Sequence, residues 1–188
     1  TLIEEHIAGI PGDLFFQYQL HDGSQNLTRL AKEFVKFNER CVVRLLGDMH
    51  ATNFVIDVTP DFDELHYRIR AIDFDQQSYE GRKAIYMPQY FKQNNPIIQV
   101  GLKLMTPESV RQYQTEEHAL MATRVRSSRY LIQHLMHAMA NDTLAPPDNV
   151  VQLKNDLTEL YKSTAFAHCQ SMGDLVKMSL QVVLRMDI

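Results

Sequence analysis

Asp48, Asn53 and Asp73 are the residues of this sequence whose types and positions could carry out chemistry. Asp48 and Asn53 lie in one polar segment between two apolar stretches, and Asp73 follows the next apolar stretch. Mg²⁺ prefers oxygen ligands such as Asn and Asp side chains, and it usually keeps water and substrate phosphates as well. A further carboxylate just outside the metal shell can accept the proton of an attacking hydroxyl. If they meet, these three side chains suit the transfer of a phosphoryl group.

Two predicted strands must position these residues. Residues 54–58 and 67–74 are apolar or alternating, and the polar stretch 59–64 between them predicts a turn, so the pair predicts a β-hairpin. A hairpin brings the loops at its open end together, which would let the three polar side chains converge. Residues 41–46 are apolar and β-branched apart from Arg44, and this composition predicts a buried strand or extended segment before Asp48.

The rest of the chain is predicted to be mostly helical. Residues 1–7 indicate a strand, residues 8–12 indicate a turn, and Asp13 is a candidate N-cap of a short helix. A longer helix is predicted from Asn26, because apolar residues then recur at the i, i+3, i+4 and i+7 positions. Three long helical stretches are predicted after residue 84: residues 88–104, 107–141 and 147–188.

Composition limits the class of protein. With 188 residues the chain can form one domain or one large lobe of a two-lobed enzyme. The net charge of −4 argues against nucleic acid as a partner. Neither Cys41 nor Cys169 belongs to a CxxC pair, so a thiolate zinc site is disfavoured and a reducing compartment is favoured. No apolar run is long enough to span a bilayer, and a cytoplasmic protein without a membrane partner is predicted.

Two motifs carry a family resemblance. Residues 47–56, GDMHATNFVI, are similar to the Gly-Asp-Leu-His-Pro-Gly-Asn-hydrophobic motif of the aminoglycoside phosphotransferase and choline kinase group of kinase-like enzymes. Residues 71–75, AIDFD, resemble the metal-binding motif that follows in that group. The resemblance implies an α+β, mainly α fold, equivalent to the C-terminal lobe of a protein kinase-like fold. A small β-hairpin would carry the catalytic and metal loops.

The same resemblance assigns roles to individual residues. It implies that Asp48 is the catalytic base and that His50 helps to shape the loop. It implies that Asn53 and Asp73 bind Mg²⁺, with Asp75 as a further candidate metal ligand. The implied cofactors are Mg²⁺ and ATP, and the implied substrate is a small molecule that bears a hydroxyl group. Sugar, aminoglycoside, choline-like amine and protein hydroxyl acceptors all stay open.

The beginning of the chain also resembles that group. Residues 2–12, LIEEHIAGIPG, are similar to the hinge between the two lobes, and backbone groups near Glu5 and Ile7 would then hold the adenine of ATP. On this interpretation residues 1–12 are the hinge and residues 13–188 the helical catalytic lobe. The seven glycines form neither GxGxxG nor a Walker loop, so the N-terminal nucleotide-binding lobe is predicted to be missing from this chain. The chain alone is therefore expected to be inactive.

Two alternatives stay open. Leu46 stands where the group usually has a histidine, and a kinase-like module that binds a partner without catalysis is the first alternative. Residues 47–50, GDMH, also resemble the Gly-Asp-x-His motif of metallophosphoesterases, which is the second. Elsewhere, Arg124, Arg126 and Arg129 could face an anionic substrate, although a solvated helix face is the more common arrangement.

Overall fold

A three-stranded antiparallel sheet forms the front of the protein. The computed structural model describes residues 8–62, 64–141 and 143–188. The strands, in the order β1-β2-β3 across the sheet, are β1 Ile10–Pro11, β2 Phe54–Asp61 and β3 Glu64–Ala71. The β2–β3 register runs from the Phe54–Ala71 pair to the Asp61–Glu64 pair, so the predicted hairpin is confirmed. The strand predicted for residues 1–7 lies outside the described residues.

Helices make up most of the described chain, which confirms the α+β, mainly α class. They are α1 Gly12–Tyr18, α2 Leu27–Arg44, α3 Asn95–Leu104, α4 Pro107–Ser127, α5 Arg129–Ala140, α6 Pro147–Tyr161 and α7 Met172–Leu184. Short 3-10 turns occur at Lys83–Tyr86, Pro88–Tyr90, Lys92–Asn94 and Thr164–His168. Across the described ranges, no helix combines the length and the apolar content that crossing a bilayer requires.

Helix α2 begins as predicted and ends later than predicted. The Asn26 side chain accepts a hydrogen bond of 3.1 Å from the Arg29 backbone N–H, which makes it the N-cap. The buried strand or extended segment predicted for residues 41–46 is wrong for residues 41–44, because α2 continues to Arg44 and ends on Leu45 in the left-handed conformation (φ 50°). Leu46 alone makes a β-type contact, an isolated bridge to Gln77. Tertiary packing has overridden the β preference of this segment.

Four other predicted elements have different boundaries in the structure. Helix α1 begins at Gly12 with Pro11 as its N-cap, so Asp13 lies in the first turn, and the predicted turn 8–12 contains β1. The predicted helix 107–141 is interrupted at Ser128, which separates α4 from α5. The predicted helix 88–104 starts with 3-10 turns and becomes α-helical at residue 95. The stretch 147–188 divides into α6 and α7.

Helix α2 packs against two hydrophobic clusters. One cluster joins the sheet, α1, the first part of α2 and α3, and it includes Leu46. The other joins the end of α2 to α4, α5, α6 and α7, and it includes Leu45. Both leucines are at most 1% exposed. Because consecutive residues are buried in different clusters, the chain is fixed from both sides immediately before Asp48.

A matched pair of glycine substitutions tests the contact between α5 and α7. A Cβ at Gly173 would collide with the Met139 carbonyl group and lie 2.8 Å from the Ala140 nitrogen, so Gly173→Ala should destabilise the fold. The expected cost is about 1–3 kcal/mol, as for overpacking elsewhere. At Gly101 in α3 the nearest atom is the flexible Met105 methyl at 3.2 Å, so Gly101→Ala should be neutral or stabilise by up to about 1 kcal/mol. Urea unfolding of the two variants measures the change in the free energy of unfolding. Equal changes in both variants would contradict the close approach of α5 and α7.

Candidate functional site

Backbone hydrogen bonds fix the loop that carries Asp48. Asp48 has a φ of 58°, a left-handed conformation that Asp and Asn adopt more readily than most residues. Its N–H donates to the Ile85 carbonyl at 2.9 Å, and its carbonyl accepts from the His50 N–H at 2.9 Å. The Asn53 N–H donates in turn to the His50 carbonyl at 2.8 Å. The Asp48 side chain is 35% exposed, so its carboxylate is open to solvent at a defined place.

Asn53 connects this loop to the open end of the hairpin. Its side-chain Nδ2 donates to the Asp48 main-chain carbonyl at 2.9 Å. Its own main-chain carbonyl accepts from the Ile72 N–H at 3.0 Å, which extends the β2–β3 ladder beyond the Phe54–Ala71 pair. Because Nδ2 is used within the loop, the amide oxygen is the atom left for a ligand. Among the described residues, its one hydrogen-bond donor is the Thr52 hydroxyl at 3.4 Å.

Asp73 and Asp75 lie beside Asp48. The Asp73 Oδ1 atom accepts a hydrogen bond of 3.1 Å from the Asp75 backbone N–H. Partial desolvation raises the pKa of the Asp75 carboxyl above its ordinary value, and the nearby carboxylates of Asp73 and Asp48 raise it further. Asp73 is half-buried and Asp75 exposed. Asp75 thus lies close enough to Asp73 and to Asp48 to be influenced by the charge of each.

His50 lies at the edge of this group. Its Nδ1 atom is 2.9 Å from the Thr52 hydroxyl, and its ring meets Phe91 edge-on with the ring centroids 6.0 Å apart. Its Nε2 atom is 3.8 Å from Asp48 Oδ2, which is too long for a hydrogen bond. His50 therefore contacts the loop through Thr52 and does not bond directly to the Asp48 carboxylate.

Gly47 allows the two loops to approach each other. A Cβ at this position would lie 2.6 Å from the Gln76 carbonyl oxygen, so a larger residue would push the segments apart. The bridge between Leu46 and Gln77 and the 2.8 Å hydrogen bond from Ser78 N–H to the Leu45 carbonyl hold the same contact. Gly47, next to Asp48, is the sequence signal for this close approach. The segment around Gln76, which it approaches, carries no such signal.

Asn94 is a supporting residue that sequence reasoning missed. It is 0% exposed, and its Nδ2 atom donates to the carbonyls of Met49 at 3.0 Å and Pro88 at 2.7 Å. The contact supports the loop from the side of the buried Met49. A polar residue in a stretch of 3-10 turns gives no local sign of this role.

The structure therefore brings together five predicted site residues at the open end of the hairpin: Asp48, His50, Asn53, Asp73 and Asp75. The predicted adenine contacts, Glu5 and Ile7, lie outside the described residues. Within the described ranges, no group of three or more His, Cys, Asp or Glu side chains is arranged to hold a metal ion. Asp48, His50, Asp73 and Asp75 therefore do not form such a group, and the predicted ligand set differs from it in that one of its three members is the amide of Asn53.

Comparisons of the chain with models of protein families, with curated proteins and with solved structures found no match. A functional argument therefore depends on the residues and contacts of this site.

Proposed function

We propose that this chain carries the catalytic loops of a phosphotransferase. The enzyme transfers the γ-phosphoryl group of MgATP to a hydroxyl group of a small molecule. The observation that carries the proposal is the placement of Asn53. Its side chain is bonded to the Asp48 loop and its backbone to Ile72, next to Asp73. One residue thus joins the base to the metal loop, and this is the spatial relation that phosphoryl transfer needs.

The donor set suits a hard divalent cation. Asn53 offers an amide oxygen, and Asp73 and Asp75 offer carboxylates, which are the ligand types that Mg²⁺ prefers. Desolvation is the main reason for the raised pKa of Asp75, and the charges of Asp73 and Asp48 raise it further, a repulsion that a cation bound there would relieve. When bound, Mg²⁺ and ATP would supply the transferred group and the positive charge that offsets the phosphates.

The chain's own residues would then orient and deprotonate the acceptor. Asp48 accepts or orients the hydroxyl proton through its exposed carboxylate. Its left-handed backbone and the bond from its N–H to Ile85 hold that carboxylate in place. His50 and Thr52 stabilise the turn between Asp48 and Asn53 through their 2.9 Å contact.

Metal binding tests the proposal directly. Mn²⁺ accepts the same oxygen ligands as Mg²⁺, and free Mn²⁺ is measured by electron paramagnetic resonance. The Asp73→Asn variant should bind Mn²⁺ at least about tenfold more weakly, because second-shell changes alone cost 10- to 100-fold. The amide oxygen of the new Asn can still accept from the Asp75 N–H, which keeps the local turn.

Asp61→Asn is the matched control. It removes an exposed carboxylate at the other end of the same hairpin, where Asp61 faces His66 at 3.5 Å. Its Mn²⁺ affinity should equal that of the unmodified protein. Equal affinities for all three proteins would refute the metal site. Metal and ATP binding without any turnover would instead favour the kinase-like binding module.

A further inference from the structure

A buried ionic cluster lies at the C-terminal half of α2, separate from the proposed metal site. Arg40 Nη2 is 2.6 Å from Glu33 Oε1, and Arg40 Nη1 is 3.3 Å from Glu117 Oε1. These three residues are at most 7% exposed. Arg124 Nη1 approaches the same Glu117 oxygen at 3.8 Å, and the Arg124 side chain is half exposed. The cluster therefore extends from the protein interior to the surface.

A cavity of about 250 Å³ opens onto this cluster. Helix α2 contributes Arg40 and Arg44 to its wall, and α4 contributes Arg124. Helices α5 and α7 contribute only apolar side chains, among them Leu135 and Leu180. No described acidic side chain lines the cavity. Its wall is thus cationic along α2 and apolar along α5 and α7.

The arginines in this wall have unused hydrogen-bonding capacity. Arg40 Nη1 makes no hydrogen bond despite its distance to Glu117, and it is fully shielded from solvent. Arg44 donates its Nε to the Arg40 carbonyl at 2.8 Å, and no acidic side chain of the described residues lies within ion-pairing distance of it. Burial lowers the pKa of Arg44; the charges of Arg40 and Arg124 add to that effect, and Cys41 and Glu117 oppose it. Arg40 already has Glu33, the Ile69 carbonyl and Glu117 as partners, so the N–H groups of Arg44 other than Nε are the ones for which an anion in the cavity would supply acceptors.

We propose that this cavity binds a small amphipathic anion, with a carboxylate or phosphate group held by Arg44 and Arg124 and with the buried charge of Arg40 behind them. Planar guanidinium groups recognise both kinds of oxyanion through paired hydrogen bonds. The apolar body of the ligand packs against α5 and α7. The cavity is smaller than a drug-sized ligand usually needs, so the body is a short alkyl chain or a single ring. This site does not depend on the proposed phosphotransferase activity.

Isothermal titration with hexanoate, hexyl phosphate and hexanol tests the proposal on the full protein. At least one of the two anions should bind saturably with one site per chain, and hexanol should bind at least about tenfold more weakly than that anion. The better anion identifies the head group. Saturable binding of neither anion, or hexanol binding equal to theirs, would overturn the proposal.

Variants locate the site. Arg44→Gln should weaken binding of the preferred anion by about tenfold, because one charge-assisted hydrogen-bonding group is lost. Arg126→Gln is the matched control, since Arg126 is an exposed residue of α4 outside the cavity wall. If Arg44→Gln fails to fold, Arg124→Gln tests the same point from a half-exposed side chain. If a variant of the cavity wall binds the anion as tightly as Arg126→Gln does, the anion binds elsewhere on the protein.

Discussion

The Asp48→Asn variant is expected to lose phosphoryl-transfer activity by about 100- to 10,000-fold, the range for loss of a general base. An amide cannot accept the hydroxyl proton, but it keeps the size and shape of the side chain. The φ of 58° at residue 48 makes Asn the right choice, because Asn also tolerates the left-handed conformation. The hydrogen bonds of Asp48 to Ile85, His50 and Asn53 use its backbone atoms and persist in the variant.

Turnover is measured in the full-length protein with MgATP and a panel of sugars, aminoglycosides and choline-like amines as acceptors. Asp57→Asn serves as the control, because it makes the same chemical change in β2, where Asp57 faces Arg70 at 3.3 Å. It should leave turnover unchanged, and both variants should unfold at the same urea concentration as the unmodified protein. If the turnover of Asp48→Asn is within a few-fold of that of Asp57→Asn, Asp48 is not the catalytic base.

The hairpin and the start of α2 could be predicted because local patterns determine them. The apolar or alternating stretches 54–58 and 67–74 lie on either side of the polar stretch 59–64, although β2 extends to Asp61, and β3 runs from Glu64 to Ala71. Asn26 precedes a helical apolar stripe and caps it in the structure. Residues 41–46 could not be assigned in the same way. A short apolar run fits a buried strand and a buried helix end equally well by its pattern. The helix is favoured by contacts with two separate hydrophobic clusters, and many residues of these clusters lie far away in the sequence.

The candidate site, too, could be predicted from the sequence only in part. The types and spacing of Asp48, Asn53 and Asp73 predicted that they would meet, since a hairpin joins their loops. The support from Asn94 could not be predicted, because it depends on a hydrogen bond to Met49 across 45 residues of sequence. Hydrogen-bonding partners of this kind are set by the packing of 3-10 turns against the loop, which sequence periodicity does not encode.

The buried arginine of α2 also lacked a sequence signal, and its removal should have the largest effect on stability. Arg40→Met is expected to lower the free energy of unfolding by about 3–5 kcal/mol, as when one partner of a buried ion pair is removed. Glu117, which is 0% exposed, would be left without its closest cation, and of the hydrogen bonds to Glu33 from described residues the one from the Ile69 N–H at 3.0 Å would remain. Urea unfolding followed by circular dichroism measures the change.

A surface ion pair provides the comparison that separates burial from charge. Arg29 and Glu64 are 2.6 Å apart, as close as Arg40 and Glu33, but both side chains are at least 36% exposed. Arg29→Met should therefore cost at most about 1 kcal/mol. Adding Glu117→Met to Arg40→Met should recover part of the lost stability, because it removes a buried carboxylate that has no hydrogen-bond partner. If Arg40→Met costs no more than Arg29→Met, the carboxylates must gain water in the variant, and the cavity beside Arg40 is the route by which it would enter.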